Sequence, residues 1–167
     1  MKQFIYLLAT SFIFFSCQQA APLEVQNVKM ETFKKNVETT KAWLAAFSEN
    51  DSLTFFSDEY ISEDFLWSPP GVGMDSISKE EWKNAFRFFM TNYDNKQLTK
   101  PQYFAALDEE NQPDGNVRVY GEWNSNFAAT GKKSKLKWYA VFRFDDQGRI
   151  KEQMEWYDSA DLSKEFD

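Results

Sequence analysis

The sequence predicts a small α+β domain in which the helices come first and an antiparallel sheet follows. Apolar residues recur at helical spacing from Met30 to Phe47, whereas from about Gln102 they alternate with polar residues. The length of 167 residues is enough for one core but not for two. Helices that precede a half-buried sheet must cover its apolar face, so the expected architecture has two layers.

Two helices are expected before the first strand. The apolar stripe of the first helix ends near Asn50, and Asp51 or Ser52 can cap a short second helix. A strand-like segment then runs over residues 60–67, and the prolines and glycines that follow it indicate a loop.

The third helix has the clearest start in the chain. Ser78 and Glu81 have the spacing of a capping box, in which each side chain accepts a hydrogen bond from the other residue's backbone. An apolar stripe follows and ends near Tyr93. Three N-terminal helices are therefore expected to cover the sheet.

The last two predicted strands form a hairpin whose loop ends at Gly148, a residue that readily adopts a left-handed backbone. If Asp145 faces Arg149 and pairing stays regular, the apolar residues of both strands lie on one face. This register pairs Ala140 with Met154, Trp138 with Trp156, and Leu136 with Asp158.

The N-terminus indicates export. A basic start precedes a mainly apolar run of twelve residues, which is too short to span a bilayer comfortably and is typical of a signal peptide over residues 1–16. Ser16 and the single Cys17 at the end of this run resemble a lipobox, which implies cleavage before Cys17 and its lipidation. A plain signal peptide or an uncut anchor is the alternative. Residues 17–28 are expected to form a tether, and residues 29–167 the domain.

Composition excludes several classes of function. The net charge of −7 disfavours nucleic acid as a partner. The chain has no histidine and one cysteine, so the commonest zinc ligands are missing and no intrachain disulfide can form. We therefore expect no metal and no cofactor, and any acid–base chemistry must come from other side chains.

Three stretches, 60–67, 78–89 and 141–158, together with the opening helix, resemble the SnoaL-like branch of the nuclear transport factor 2-like superfamily. The resemblance implies a curved antiparallel sheet that forms a cone, with helices closing one side and a pocket inside. It also implies a homodimer through the outer face of the sheet. Members include cyclases, isomerases, hydrolases and binding modules, so the fold implies a pocket but not a reaction.

Candidate site residues follow from the register and the resemblance. Asp158 is the expected general acid or base, because a carboxylate on an apolar face among rings should have a raised pKa. An acid near the end of this strand also resembles a catalytic group of the family. The expected ligand-binding residues are Tyr60, Trp67, Trp123, Trp138, Met154 and Trp156.

The leading functional hypothesis is a membrane-tethered domain of the cell envelope that binds a small hydrophobic or aromatic molecule. One alternative is a cofactor-independent hydrolase, isomerase or cyclase that uses Asp158. The other is a structural envelope lipoprotein that acts through its dimer face and has a filled cone.

Overall fold

The computed structural model describes residues 23–71 and 73–159, in nine elements. The three helices are α1 (Leu23–Ser48), α2 (Ser52–Phe55) and α3 (Lys79–Asn92). The six strands are β1 (Ile61–Ser68), β2 (Ile77–Ser78), β3 (Tyr93–Leu107), β4 (Pro113–Phe127), β5 (Lys133–Phe144) and β6 (Ile150–Trp156). The predicted α+β class and the helix-first order are confirmed.

One curved sheet holds all six strands in the order β2-β1-β6-β5-β4-β3. One pair departs from the expected antiparallel arrangement, because β1 pairs with β6 in parallel. All other neighbours are antiparallel. The chain returns from β1 through α3 and the β3–β6 meander, and this long crossover lets the first and last strands run in the same direction.

Helix α1 begins at Leu23, so residues 23–28 of the predicted tether are helical. Leu23 and Val28 are exposed, and the buried residues of this helix start at Asn36. The predicted signal peptide and Cys17 lie outside the described residues. Within 23–71 and 73–159, no helix combines the length and apolar character needed to cross a membrane.

The helix starts follow the predicted caps. The Asp51 carboxylate accepts a hydrogen bond from the Thr54 backbone N–H at 3.1 Å and caps α2. At α3, the Ser78 backbone N–H donates to the Glu81 carboxylate at 2.9 Å, and the Ser78 hydroxyl accepts from the Glu81 N–H. These contacts satisfy N–H groups that have no partner within the helix.

Aromatic rings fill the space between the helices and the sheet. The Trp43 ring of α1 stacks on Phe55 of α2 with centroids 4.5 Å apart, and Trp82 of α3 lies 6.2 Å away. The indole N–H of Trp43 donates to the Phe55 carbonyl at 2.9 Å. Phe65 of β1 meets Trp82 at 4.7 Å. This cluster fixes the three helices on the concave face of the sheet.

A β-bulge in β6 overturns the predicted register. The hairpin starts as expected, since the Asp145 N–H donates to the Arg149 carbonyl at 2.9 Å. Phe144 pairs with Ile150, but Arg143 pairs with Glu152, so Lys151 has no opposite residue. Every later pair is shifted by one. Observed pairs include Ala140 with Glu155, Val141 with Met154 and Tyr139 with Trp156.

The burial of β6 reflects the bulge. Ile150, Gln153 and Glu155 are buried, whereas Met154 is half-buried and Trp156 is half-exposed. The inner face of the strand therefore changes after Lys151, because an extra residue inverts the alternation of side chains. The bulge turns a carboxylate into the cone and places a tryptophan outside it.

A candidate ligand pocket inside the cone

A cavity lies between the helices and the concave face of the sheet. The volume of the cavity is about 80 Å³, and one side of it is open to solvent. That is room for several water molecules or a ring-sized ligand. The lining is mostly aromatic and aliphatic: Trp43, Leu44, Phe47, Phe55, Phe86, Phe89, Tyr93, Lys96, Trp123, Ser125, Ser134, Leu136, Trp138, Gln153, Glu155 and Tyr157.

Glu155 is the carboxylate of this cavity. It is 5% exposed, and two indoles donate to it: Trp67 Nε1 to Oε1 at 2.7 Å and Trp138 Nε1 to Oε2 at 2.6 Å. Burial raises the pKa of Glu155 to about 7, and the hydrogen bonds from Trp138, Trp67 and Gln153 oppose that rise. A carboxyl group with this pKa exists in both protonation states near neutral pH, so it can accept or donate a proton.

Two further polar groups lie beside Glu155 in the wall of the cavity. Gln153 is 1% exposed, hydrogen-bonds Glu155, and leaves its Oε1 without a partner in the part of the chain that the structure describes. Burial raises the pKa of the Tyr157 hydroxyl, as does the nearby Glu155 carboxylate. The cavity therefore offers one ionisable carboxyl group and an unused amide acceptor within a mainly apolar surface.

Lys96 of β3 also lines the cavity. Its ammonium donates to the Asn50 side-chain carbonyl and to the Tyr93 backbone carbonyl, the latter at 3.1 Å, and lies 5.0 Å from the centre of the Phe47 ring. Burial lowers the pKa of Lys96 to about 8, and the charge of Asp94 opposes that fall.

The inward position of Lys96 follows from an irregularity in β3. Asp94 pairs with Asn126 and Gln97 pairs with Asn124, so two residues of β3 oppose one residue of β4. Asn95, inside this bulge, has a φ of 49°, in the left-handed region. Tyr93 and Lys96 are both buried although they are an odd number of positions apart, whereas the inward positions of a regular strand are an even number apart. The extra residue between them allows both side chains to face the cone.

Three of the six expected ligand-binding residues lie at the cavity or support it. Trp123 and Trp138 form part of the lining, with their rings 5.9 Å apart in an edge-to-face arrangement. Trp67 lies behind the lining, where its indole N–H donates to Glu155, a residue of the lining. Ligand binding by these residues stays a prediction, but the structure brings them together.

The other expected residues lie elsewhere. Tyr60 packs against the core and is not part of the lining. Met154 and Trp156 belong to the outer face of β6, where Trp156 is 50% exposed and stacks on Tyr139 at 5.0 Å. Asp158 is exposed, so its expected inward position among rings is wrong. The Lys151 bulge is the reason, and catalysis by Asp158 keeps no support from geometry.

Glu155 was missed because the regular register placed it outside. The charges of the hairpin contained a usable signal: regular pairing would put Lys151 opposite Arg143, and like charges across a strand pair are destabilising. With the bulge, Arg143 faces Glu152 and donates to it at 3.1 Å. No comparable charge pattern marks Lys96, because its bulge is defined by the pairing of β3 with β4 and not by the sequence of β3 alone.

An aromatic row crosses the outer face of the sheet. Tyr120 and Tyr139 stack with centroids 4.4 Å apart, and Trp156 extends the row beyond Tyr139. Phe104 meets Tyr120 at 5.8 Å and is 45% exposed. The expected homodimer through this face stays a prediction.

Among residues 23–71 and 73–159, no group of three or more metal-ligating side chains comes together.

Comparison with solved structures identifies the fold. No family model matches the sequence, and no curated protein matches it. A candidate isomerase from Bacillus subtilis is 16% identical, with a TM-score of 0.66 over 81% of this chain and 94% of that chain. A nuclear transport factor 2-like protein from Burkholderia xenovorans is 15% identical, with a TM-score of 0.59 over 78% and 95%. A candidate SnoaL-like polyketide cyclase from Shewanella denitrificans is 14% identical, with a TM-score of 0.60 over 78% and 96%.

The chain therefore has the nuclear transport factor 2-like fold, an α+β cone with a pocket between helices and sheet. The predicted fold is confirmed. At these identities the likeness concerns the fold alone, so the activity must be argued from the pocket of this chain.

Proposed function

We propose that this domain binds a small, mainly apolar molecule, with an aromatic or otherwise flat body, inside the cone. The observation that carries the proposal is an open cavity lined by rings and containing one buried carboxyl group, Glu155. Apolar walls supply affinity through burial, and a few placed polar groups fix the orientation of a ligand. A cone filled by its own side chains, as the structural alternative requires, would leave no such space.

The pocket can be tested with a neutral fluorescent dye and one blocking substitution. Ser134 of β5 lines the cavity opposite Ser125 of β4, so a Ser134→Phe ring would fill the space beside Leu136. We expect N-phenylnaphthylamine to bind the wild-type chain and Ser134→Phe to weaken binding at least about tenfold. Dye fluorescence titrations measure the affinity, and urea unfolding checks that the variant is folded.

Lys133→Phe is the matched control, because it adds the same ring one residue away on the exposed face. It should bind the dye like the wild type. Equal binding by Ser134→Phe would place the dye outside the cone and contradict the proposed pocket. Absence of dye binding by the wild type would contradict it directly.

Catalysis is the second candidate function, and the pKa of Glu155 favours it. A buried carboxyl group with a pKa of about 7 can serve as general base or general acid without a cofactor. The molecule bound in the pocket is then the substrate of the reaction. In that case Glu155→Gln should abolish turnover while dye binding persists, whereas Asp158→Asn should leave turnover unchanged.

We further propose that a lipid on Cys17 holds the domain at a bacterial membrane, as the apolar run before this cysteine indicates. Acyl chains on one residue give durable anchoring because each buried methylene adds about 0.8 kcal/mol. Expression in a host that processes lipoproteins should place the wild type in the membrane fraction with incorporated labelled fatty acid. Cys17→Ser should lose the label and leave that fraction. A labelled or membrane-bound Cys17→Ser chain would overturn this assignment.

A further inference from the structure

Lys96 and Glu155 are the basic and the acidic residue of the cavity lining, and the other lining groups are rings, aliphatic groups and polar groups without a formal charge. Its side chain is 4% exposed, and the atoms that accept from its ammonium are carbonyl oxygens, of Asn50 and Tyr93. The charge of Asp94 acts on Lys96, but the ion pairs found in 23–71 and 73–159 do not include this lysine, so no described carboxylate is in direct contact with its ammonium.

A buried ammonium without a carboxylate in direct contact is costly, because carbonyl oxygens replace only part of its hydration. Most lysines avoid this cost by extending into water. Here the β3 bulge around Asn95 holds the side chain inward, and the Phe47 ring supports the charge from one side. An ammonium has three protons, and the residues that the structure describes supply two acceptors for them, so one proton remains for a ligand next to the cavity space.

From this geometry we propose that Lys96 binds the carboxylate of the ligand, and that the ligand class is a small carboxylic acid with an apolar, ring-containing body. This inference rests on the proposed binding function and names its ligand chemistry. The ring body occupies the aromatic walls, including Trp123 and Trp138, and the carboxylate lies against the Lys96 ammonium. A charge-assisted hydrogen bond in a mostly dry site is the strongest polar contact that this lining offers.

The other ionisable groups of the lining suit this assignment. Burial raises the pKa of the Tyr157 hydroxyl, so this group stays neutral and adds no competing charge. Glu155 is held on β6 by Trp67 and Trp138 and is available to a hydroxyl or keto group of the ligand. The cavity thus contains one position for an anion and one for a polar group on the ligand body.

Two compounds of the same shape test the inference at pH 7. Naphthoate carries a carboxylate, and naphthamide with the same ring substitution replaces it with a neutral amide. Each displaces N-phenylnaphthylamine from the full chain, and the displacement midpoint gives its affinity. We expect wild type to prefer naphthoate at least about tenfold, and Lys96→Met to lose that preference while it still binds the dye.

Lys137→Met is the matched control, since it removes the same charge from an exposed position of β5 and should keep the preference. Equal affinities of the two compounds for wild type would overturn the inference, whether or not Lys96→Met folds, and would leave the pocket intact. A naphthoate preference that survives in folded Lys96→Met would also overturn it. Failure of wild type to bind the dye would instead refute the proposed function, and with it this inference.

Discussion

Replacing Trp43 with alanine is expected to lower the free energy of unfolding by about 4 kcal/mol, within the range of buried aromatic truncations. Trp43 is 0% exposed and contacts one ring from each of the other two helices, Phe55 and Trp82. The truncation also removes the donor to the Phe55 carbonyl, which is left without that bond. The rigid sheet limits how far the surroundings can collapse into the cavity. Urea unfolding at constant pH measures the loss.

Trp156→Ala is the matched control, because it removes the same side chain from a half-exposed position on the outer face. Its stacking on Tyr139 leads us to expect a loss of about 1 kcal/mol or less. Similar losses at the two positions would show that the helices do not depend on the ring cluster, and would contradict the assigned core.

The stability of the wild type is expected to fall by about 2 kcal/mol between pH 5 and pH 7.5, because of Glu155. Burial raises the pKa of this group from 4.5 to about 7 in the folded chain. Between these values the unfolded chain releases the proton while the folded chain keeps it, so rising pH favours unfolding. The stabilising contribution is complete below pH 4.5 and is lost as the pH passes 7.

This pH interval isolates Glu155. The chain has no histidine, and Lys96 titrates at about 8, where its effect has the opposite sign. The carboxylates with lowered pKa, such as Asp145, act only at more acidic pH. Urea unfolding at several pH values measures the slope. Glu155→Gln should flatten it, and Glu152→Gln, a neighbouring carboxylate with an ion pair to Arg143, should keep it. A flat wild-type profile would mean that Glu155 is not desolvated.

Local signals predicted the elements well. The Asp51 and Ser78 caps and the Gly148 turn each depend on residues within a few positions, and each is present in the structure. Helix α1 extends further than its apolar stripe, because its first two turns are largely exposed and show no periodicity. The strands are longer than their alternating segments, since bulges interrupt the period of two.

The site was predicted only in part. Trp123 and Trp138 lie on β4 and β5, whose mutual pairing is regular, so alternation placed them correctly. Trp67 follows an irregularity of β1 and was predicted from its aromatic character. Met154, Trp156 and Asp158 lie after Lys151 and were assigned to the wrong face. A single inserted residue exchanges all the side chains that follow it.

Periodicity, caps and composition along the chain are enough to predict the α+β class, the order of the elements and the aromatic character of the core. Which ionisable groups face the cavity depends instead on how the strands pair in the folded chain. Glu155 and Lys96 enter it through bulges that form when β6 and β3 pair with β5 and β4. Their unusual pKa values also arise only on folding, because desolvation requires the helices and the sheet to enclose them together.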